Sequence, residues 1–267
     1  MKFMRATTLL MTLLLAATAN AEMDWKAALS GAHRADGNAD RNGARHPRET
    51  LEFFGLTSDM TVLEVSPGGG WYTEVLAALL AKEGTLVAAH YAPNGGAYSR
   101  RSLGGFLKKL GENNDVYGGV VVTALQPPMA MTAAEPESID LAVAFRNVHS
   151  WMRMDQAETF FAAIYDAVKP GGLFGVVQHR ANDGTSVETM RKTAYVTEEQ
   201  VIEFAELAGF VLEARSEVNA NPRDTKDYPG GVWTLPPSLS GDDGNREKYL
   251  AIGESDRMTL RFRKPAQ

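Results

Sequence analysis

Short runs of apolar residues alternate with amphipathic stretches along most of this chain. Apolar runs rich in β-branched residues predict seven strands, at residues 61–66, 84–91, 116–125, 138–145, 171–180, 210–218 and 257–265. Apolar residues at helical spacing predict helices between them, at 71–82, 100–110, 155–168 and 197–208. Strands that alternate with helices in this way are typical of an α/β fold with a doubly wound, mostly parallel sheet.

Two segments depart from the alternation. Short amphipathic helices are predicted within residues 25–37 and 46–56, ahead of the first strand. Residues 219–254, dense in Pro, Gly and Asp, predict a long insertion that is either disordered or a lid, and Tyr228 and Trp233 favour a packed lid. We therefore expect a single domain at 22–267, with its N-terminal helices in 22–58 and the insertion at 219–254.

The first 21 residues have the pattern of a secretory signal peptide. Lys2 and Arg5 form a basic head, an apolar stretch follows, and Ala19-Asn20-Ala21 provides a small-x-small cleavage site before Glu22. The apolar stretch of about 12 residues is shorter than the roughly 20 that span a bilayer. These features predict a periplasmic or secreted protein with no stable membrane insertion after cleavage.

Composition narrows the classes of partner. The chain of 267 residues has a net charge of -6 and no basic stripe, which argues against nucleic-acid binding. It contains no cysteine, which excludes a lipoprotein anchor, a thiolate nucleophile and disulfides. A small molecule is the expected partner, and no sequence signal specifies an oligomeric state.

A glycine turn follows the first predicted strand, in the stretch TVLEVSPGGGWYTEVLAALL at 61–80. Gly68, Gly69 and Gly70 lack a Cβ, so a ligand can approach the backbone closely, and the next helix presents free amide groups there. In an open α/β sheet the first strand-to-helix turn is a common ligand site. The turn therefore predicts a nucleotide or nucleoside site, the alternative being a tight turn without a ligand.

The acidic residue near this turn distinguishes between ligands. A dinucleotide fingerprint needs a third glycine and an acid at the end of strand two, but Thr73 and His90 occupy these places. No Gly-Lys-Ser/Thr follows the turn, which excludes a P-loop. The acid is instead Glu64, inside strand one. A nicotinamide-dependent oxidoreductase is therefore disfavoured.

The stretch VLEVSPGGGWYTEVLA resembles the first motif of class I S-adenosylmethionine-dependent methyltransferases, which has the form acid-x-G-x-G-x-G. Later stretches resemble that family's motifs in the same order, namely DLAVAFRNVHSW, VKPGGLFGVV, GFVLEARSEV and MTLRFRKP. The resemblance covers residues 47–265 apart from the insertion. Within the family, the combination of motifs looks like a branch of predicted exported methyltransferases. It implies S-adenosylmethionine as cofactor and a Rossmann-like seven-stranded sheet with the last strand antiparallel, flanked by helices.

The resemblance also implies positions for the cofactor. Glu64 would contact its methionine end, His90 and Tyr91 would lie near the ribose, and Arg146 and Asn147 would border the transferring methyl group. The turn beneath the methionine end would consist of Ser66, Pro67, Gly68, Gly69 and Gly70. Ser66 replaces the family's first glycine and would be strained at a positive φ, while His90 replaces the usual ribose-binding acid.

Three histidines lie where predicted strands end, on one edge of the sheet: His90, His149 and His179. His149 and His179 follow neighbouring strands, so either is a candidate general base, the alternative being polar residues that bond loop backbone. A metal site with Asp183 is a weaker alternative because the spacing matches no ligand pattern, and no metal is predicted. Nearby arginine and tryptophan side chains favour an anionic or aromatic small substrate: Arg146, Trp151, Arg153 and Arg180.

Two hypotheses about function result. The first is an S-adenosylmethionine-dependent methyltransferase that acts on an unidentified small molecule. The second is a non-catalytic exported ligand-binding protein with a degenerate methyltransferase fold, since export separates the chain from a cofactor that is made in the cytoplasm. Ser66 and His90 would mark that divergence.

Overall fold

The computed structural model describes residues 22–241 and 244–266, so the predicted signal peptide at 1–21 lies outside the described residues. The strands are β1 Thr61–Val65, β2 Thr85–His90, β3 Val121–Ala124, β4 Ile139–Phe145, β5 Val168–His179, β6 Val211–Ser216 and β7 Arg257–Arg263. The α-helices are α1 Trp25–Ser30, α2 Asn42–Arg45, α3 Pro47–Phe53, α4 Trp71–Leu80, α5 Ala97–Glu112, α6 Asn114–Tyr117, α7 Val148–Arg153, α8 Ala157–Ala167, α9 Val187–Thr193, α10 Glu198–Ala208 and α11 Arg246–Ile252. Short 3-10 helices occur at Ala39–Arg41 and Gly231–Thr234.

The seven strands form one sheet in the order β3-β2-β1-β4-β5-β7-β6. Pairing is parallel from β3 to β5, whereas β7 is antiparallel to both β5 and β6. The order reverses between β1 and β4, which pair side by side. The predicted doubly wound sheet with an antiparallel last strand is confirmed.

Helices cover both faces of the sheet because its central strands are apolar on both sides. Leu63 of β1 packs into one hydrophobic cluster with Trp151 and Phe161. Val62, one residue earlier, packs into the opposite cluster with Leu76 of α4. Successive side chains of a strand point to opposite faces, so β1 contributes to both cores.

Some elements differ from the sequence expectation. The third strand begins at Val121 rather than 116, because Asn113 accepts a hydrogen bond from the Val116 amide and starts α6. Helices α7 and α9 were not predicted; α7 begins without a side-chain cap, and α9 buries only Met190 and so has no apolar stripe.

The insertion at 219–254 is packed rather than extended into solvent. Tyr228, Leu235 and Tyr249 form a small buried cluster. The Tyr195 hydroxyl donates to Asp224 Oδ2 at 2.9 Å, which fastens the insertion to the segment after α9. Of the two alternatives for this segment, the structure agrees with the packed one.

A buried carboxylate anchors the N-terminal segment to α4. Glu74 is fully buried, and its Oε2 lies 2.7 Å from Arg34 Nε. The same carboxylate accepts hydrogen bonds from Asn38 Nδ2, at 2.9 and 3.0 Å, and from Lys109. The N-terminal segment and α5 are thereby joined through one residue of α4.

We expect Glu74→Gln to lower the free energy of unfolding by about 3 kcal/mol, because Arg34 would remain buried without a counter-charge. Urea unfolding measures the change. Glu52→Gln is the matched control: it removes an exposed pair with Arg48 and should cost less than about 0.5 kcal/mol. Equal losses in the two variants would contradict the anchoring role.

A second buried carboxyl group lies within β1. Glu64 is 2% exposed, and its Oε2 accepts a hydrogen bond of 2.5 Å from the Thr73 hydroxyl of α4. Burial raises the pKa of Glu64 to about 7, although the Thr73 hydrogen bond acts in the opposite direction. The folded chain therefore holds this proton at pH values where the unfolded chain has lost it.

This raised pKa predicts a pH-dependent stability difference between the wild type and Glu64→Gln. Below about pH 4.5 both side chains are neutral and the difference should be smallest. As the pH rises to about 7 the wild type should lose up to about 3 kcal/mol relative to the variant, because Glu64 ionises in the unfolded chain while the folded chain still holds its proton. Urea unfolding at pH 4, 6 and 8 measures it, and a constant difference would refute the prediction.

Candidate functional site

A cavity of about 430 Å³ opens at the carboxyl ends of β1, β4 and β5. This is the place where the strand order reverses, and open α/β sheets bind ligands there. The lining residues come from the turns after these strands, the N-terminal segment, the insertion and the start of β7: Asn38, Arg41, Arg45, Ser66, Pro67, Gly68, Gly69, Trp71, Phe145, Arg146, Asn147, His149, His179, Val232, Trp233, Pro236, Pro237, Ser238, Glu254 and Arg257.

The glycine turn forms one wall of the cavity. A Cβ at Gly68 or Gly69 would meet no atom within 4 Å, so the backbone there is open to a ligand. Gly70 instead lies close to Phe106 of α5, where a Cβ would be 3.2 Å from the ring. Ser66 has φ +52°, the left-handed conformation that costs a non-glycine residue about 1 kcal/mol. The strain expected of serine at this position is therefore present.

The turn after β4 forms the adjacent wall. Asn147 Nδ2 donates to the Val65 carbonyl at 2.9 Å, which connects this turn to the end of β1. Arg146 has φ +62°, and its amide donates to the Val177 carbonyl of β5. The Arg146 side chain lines the cavity and makes no hydrogen bond or ion pair with any residue in the described ranges.

His149 and His179 meet at the cavity, with ring centroids 5.7 Å apart. The Gln178 amide nitrogen donates to His149 Nδ1 at 3.2 Å, and burial lowers the pKa of His149 to about 4. His179 Nδ1 lies 2.5 Å from the Ser255 hydroxyl, and burial lowers its pKa well below the usual range. Both imidazoles are therefore neutral at physiological pH and act as hydrogen-bonding groups.

His90 and Tyr91 lie outside this cavity lining. The Tyr91 amide donates to His90 Nδ1 at 2.7 Å, so the proton is on Nε2, which donates to the Gly68 carbonyl at 3.1 Å. The His90 ring also packs against Phe106, with centroids 5.0 Å apart. His90 thus holds the glycine turn in place, and neither of its nitrogens is free to accept a bond.

One carboxylate and several arginines form the floor of the cavity. Glu254 pairs with Arg41 Nε at 2.7 Å, with Arg45 Nε at 3.4 Å, and with Arg257. Burial alone would raise the pKa of Glu254. The nearby guanidinium groups outweigh burial and lower this pKa to about 2; they belong to Arg257, Arg45 and Arg41. The carboxylate is therefore ionised at every physiological pH.

Aromatic rings complete the cavity. The guanidinium groups of Arg34 and Arg45 both lie over the Trp71 ring, at 4.7 and 4.5 Å from its centroid. Trp233 of the insertion faces His149 with a centroid distance of 6.0 Å. The insertion thus contributes part of the cavity lining, beside His149.

Most of the predicted site residues meet in this cavity. Those that line it are Ser66, Pro67, Gly68, Gly69, Arg146, Asn147, His149 and His179. Glu64 lies behind the turn against Thr73, and Gly70 faces Phe106. Among the other side chains that favoured an anionic substrate, Trp151 is in the core, Arg153 is exposed, and Arg180 pairs with Glu217 and Asp256.

The arginines of the floor that were not predicted from the sequence are Arg41, Arg45 and Arg257. Arg41 and Arg45 are four residues apart, a spacing that places two side chains on one helix face. Arg257 begins β7 and gave no signal beyond its charge. Asp183 is exposed and does not line the cavity, and the described part of the chain contains no group of three or more His, Asp or Glu residues that could hold a metal ion.

Neither a protein-family model nor a curated protein sequence matches this chain. Solved structures do match. An S-adenosylmethionine-dependent methyltransferase from Aquifex aeolicus is 17% identical, with a TM-score of 0.55 over 84% of this chain and 93% of its own. The cyclase SpnF is also 17% identical, with a TM-score of 0.57 over 84% of this chain and 81% of its own.

A third match is a possible exported protein from Bordetella parapertussis, 17% identical, with a TM-score of 0.50 over 85% of this chain and 68% of its own. At these identities the likeness concerns the fold. The strand order, the antiparallel β7 and the matched structures agree. The chain has the Rossmann-like fold of class I methyltransferases.

Proposed function

We propose that this protein is an S-adenosylmethionine-dependent methyltransferase that acts on a small molecule. The observation that carries the proposal is the cavity on the glycine turn, at the switch point of a sheet with the methyltransferase strand order. Methyltransferases are among the solved structures of the same fold. The cavity volume is within the usual range for small-molecule sites.

The residues present fit the amino-acid half of the cofactor. Gly68 and Gly69 leave open backbone, and the floor of the cavity is rich in guanidinium groups that attract a carboxylate. In this proposal Ser66 to Gly69, Arg146 and Asn147 hold that half, with Glu64 and Gly70 supporting the turn from behind. The ribose would lie toward His90 and Tyr91, and His90 stands at the position where the family has an acid.

The bound cofactor supplies an electrophilic methyl group on a sulfonium. This chain's contribution is then mainly alignment and exclusion of water, since methyl transfer to an activated nucleophile needs little acid-base work. Trp71 and Trp233 provide flat apolar walls. His149 accepts the Gln178 hydrogen bond at Nδ1, so its proton is on Nε2 and it can only donate to a substrate. In this proposal His179 donates from Nδ1 to the Ser255 hydroxyl, and its Nε2 accepts a hydrogen bond from a substrate hydroxyl or amine, as the candidate catalytic base.

Isothermal titration calorimetry tests the cofactor assignment. We expect micromolar binding of S-adenosylmethionine and of S-adenosylhomocysteine, and none of NAD. Asn147→Leu should weaken both by at least about tenfold, because the turn loses its bond to the end of β1. Asn182→Leu, an exposed change outside the cavity lining, is the control. Absence of binding to the wild type would refute methyl transfer.

A second candidate is a non-catalytic ligand-binding protein that has kept the fold. His90 favours it, because both ring nitrogens are used within the protein at the place where the family has a ribose-binding acid. The fold is also found in SpnF, whose name is that of a cyclase. The same titration distinguishes the two candidates, because a non-catalytic protein of this second kind would bind neither S-adenosylmethionine nor S-adenosylhomocysteine.

We also propose that the protein is exported. The sequence at 1–21 supports this, as does the likeness to the Bordetella parapertussis protein described as possibly exported. In the described ranges no helix has the length and apolar content to cross a bilayer.

Export predicts a processed N-terminus. When the full chain is expressed with its own leader in a Gram-negative host, N-terminal sequencing of the protein from the periplasm or medium should begin at Glu22. Replacing Ala19 and Ala21 by bulky residues should block cleavage, because the small-x-small site would be lost. An intact N-terminus on soluble wild-type protein would refute export.

A further inference from the structure

The cavity concentrates positive charge in an acidic protein. Four of its lining residues are arginines, Arg41, Arg45, Arg146 and Arg257, and one is a carboxylate, Glu254. Its two histidines are neutral at physiological pH. The lining thus carries an excess of three positive charges, whereas the whole chain has a net charge of -6.

Glu254 neutralises part of this cluster but does not pair with Arg146. Its two oxygens are taken by Arg41, Arg45 and Arg257. Burial, together with the guanidinium groups of Arg45 and Arg257, lowers the pKa of Arg146 well below its usual range. Arginine nonetheless keeps its proton in proteins, so Arg146 is a cation placed among cations.

Two buried arginines of the cluster have unused donors. Arg45 and Arg257 are each 2% exposed, and Arg45 Nη1 and Arg257 Nε have no hydrogen-bond partner in the described structure. Unpaired donors of buried charged groups are costly, because they have lost water without a replacement. Within the protein, the positive charge of this cluster is therefore not balanced and some of its hydrogen-bond donors have no acceptor.

We propose that the cavity binds an anionic group of a small molecule, a carboxylate or a phosphate, and that Arg146 is its principal contact. A guanidinium group binds either anion through two parallel hydrogen bonds, and the other arginines add a favourable field. Trp71 and Trp233 provide walls for the rest of the molecule. The assignment of the anion to a substrate rests on the proposed function. Binding of anions to the cavity can nevertheless be measured without a cofactor.

Calorimetry on the protein at low salt tests the site with three probes: inorganic phosphate, benzoate and its uncharged analogue benzamide. We expect phosphate and benzoate to bind, benzamide to bind at least about tenfold more weakly than benzoate, and added salt to weaken both anions. Arg146→Gln should reduce benzoate affinity at least about tenfold. Arg153→Gln is the control, since it removes an exposed guanidinium 5.5 Å from the Trp233 ring and outside the cavity lining.

Arg146→Gln is expected to fold, because no partner is left unpaired and repulsion within the cluster falls. Its thermal unfolding midpoint should equal or exceed that of the wild type. Arg146→Lys is a second variant, which keeps the charge but loses the two-point contact, and it should bind benzoate with intermediate affinity. Benzoate binding that is equal in the wild type and both variants would overturn the proposal.

The anion could belong to the cofactor or to a separate substrate, and two adenosyl compounds distinguish these sources. S-adenosylhomocysteine has the amino-acid carboxylate, whereas 5′-methylthioadenosine lacks it. If Arg146→Gln weakens only the first of them, the anion is the cofactor's carboxylate. If it weakens benzoate and neither adenosyl compound, the anion belongs to the substrate. Either result supports the anion site.

The measurements distinguish a failure of the anion site from a failure of the proposed methyl transfer. Benzoate binding without binding of any adenosyl compound would keep the anion site and refute methyl transfer. Binding of adenosyl compounds with no binding of benzoate or phosphate, and with affinities unchanged by Arg146→Gln, would refute the anion site alone.

Discussion

The site depends on one buried carboxylate. Glu254 stands at the end of the insertion and binds arginines from the N-terminal segment and from the start of β7. Without it, three guanidinium groups would repel one another in a space with little water. The carboxylate thus holds together segments that are distant in sequence, and because its oxygens pair with three other arginines it forms no ion pair with Arg146.

The fold could be predicted from the sequence because its signals are local. The central strands β1, β2 and β4 are short apolar runs, and the order of motifs from the glycine turn to β7 indicated the antiparallel last strand. Helices α7 and α9 were not predicted because α7 has no side-chain cap to mark its start and α9 buries only one residue, Met190, so that no apolar stripe is visible. The insertion was left open between lid and loop, since its packing depends on Tyr195 and Asp224, which are far apart in the chain.

The site was predicted only on the side formed by strand ends. His149 and His179 were placed together because parallel strands end at the same edge. The arginine floor combines the N-terminal segment with β7, and no periodicity relates these segments. For His90 the sequence indicated a position but not the contacts. Its place at the end of β2 predicted a residue near the ribose, but its ring nitrogens are bonded to the Tyr91 amide and the Gly68 carbonyl.

The arrangement of the floor has a consequence for the order of folding. Arg41 and Arg257 lie near opposite ends of the chain, and both contact Glu254. A chain emerging in sequence order can pair β1, β2 and β4 long before β7 is available, so the sheet can begin to form while the cavity floor is missing. Closing so long a loop is slow and entropically costly. The cavity is therefore among the last parts of the molecule to be completed, and an intermediate that has formed the central strands would be compact before the cavity exists.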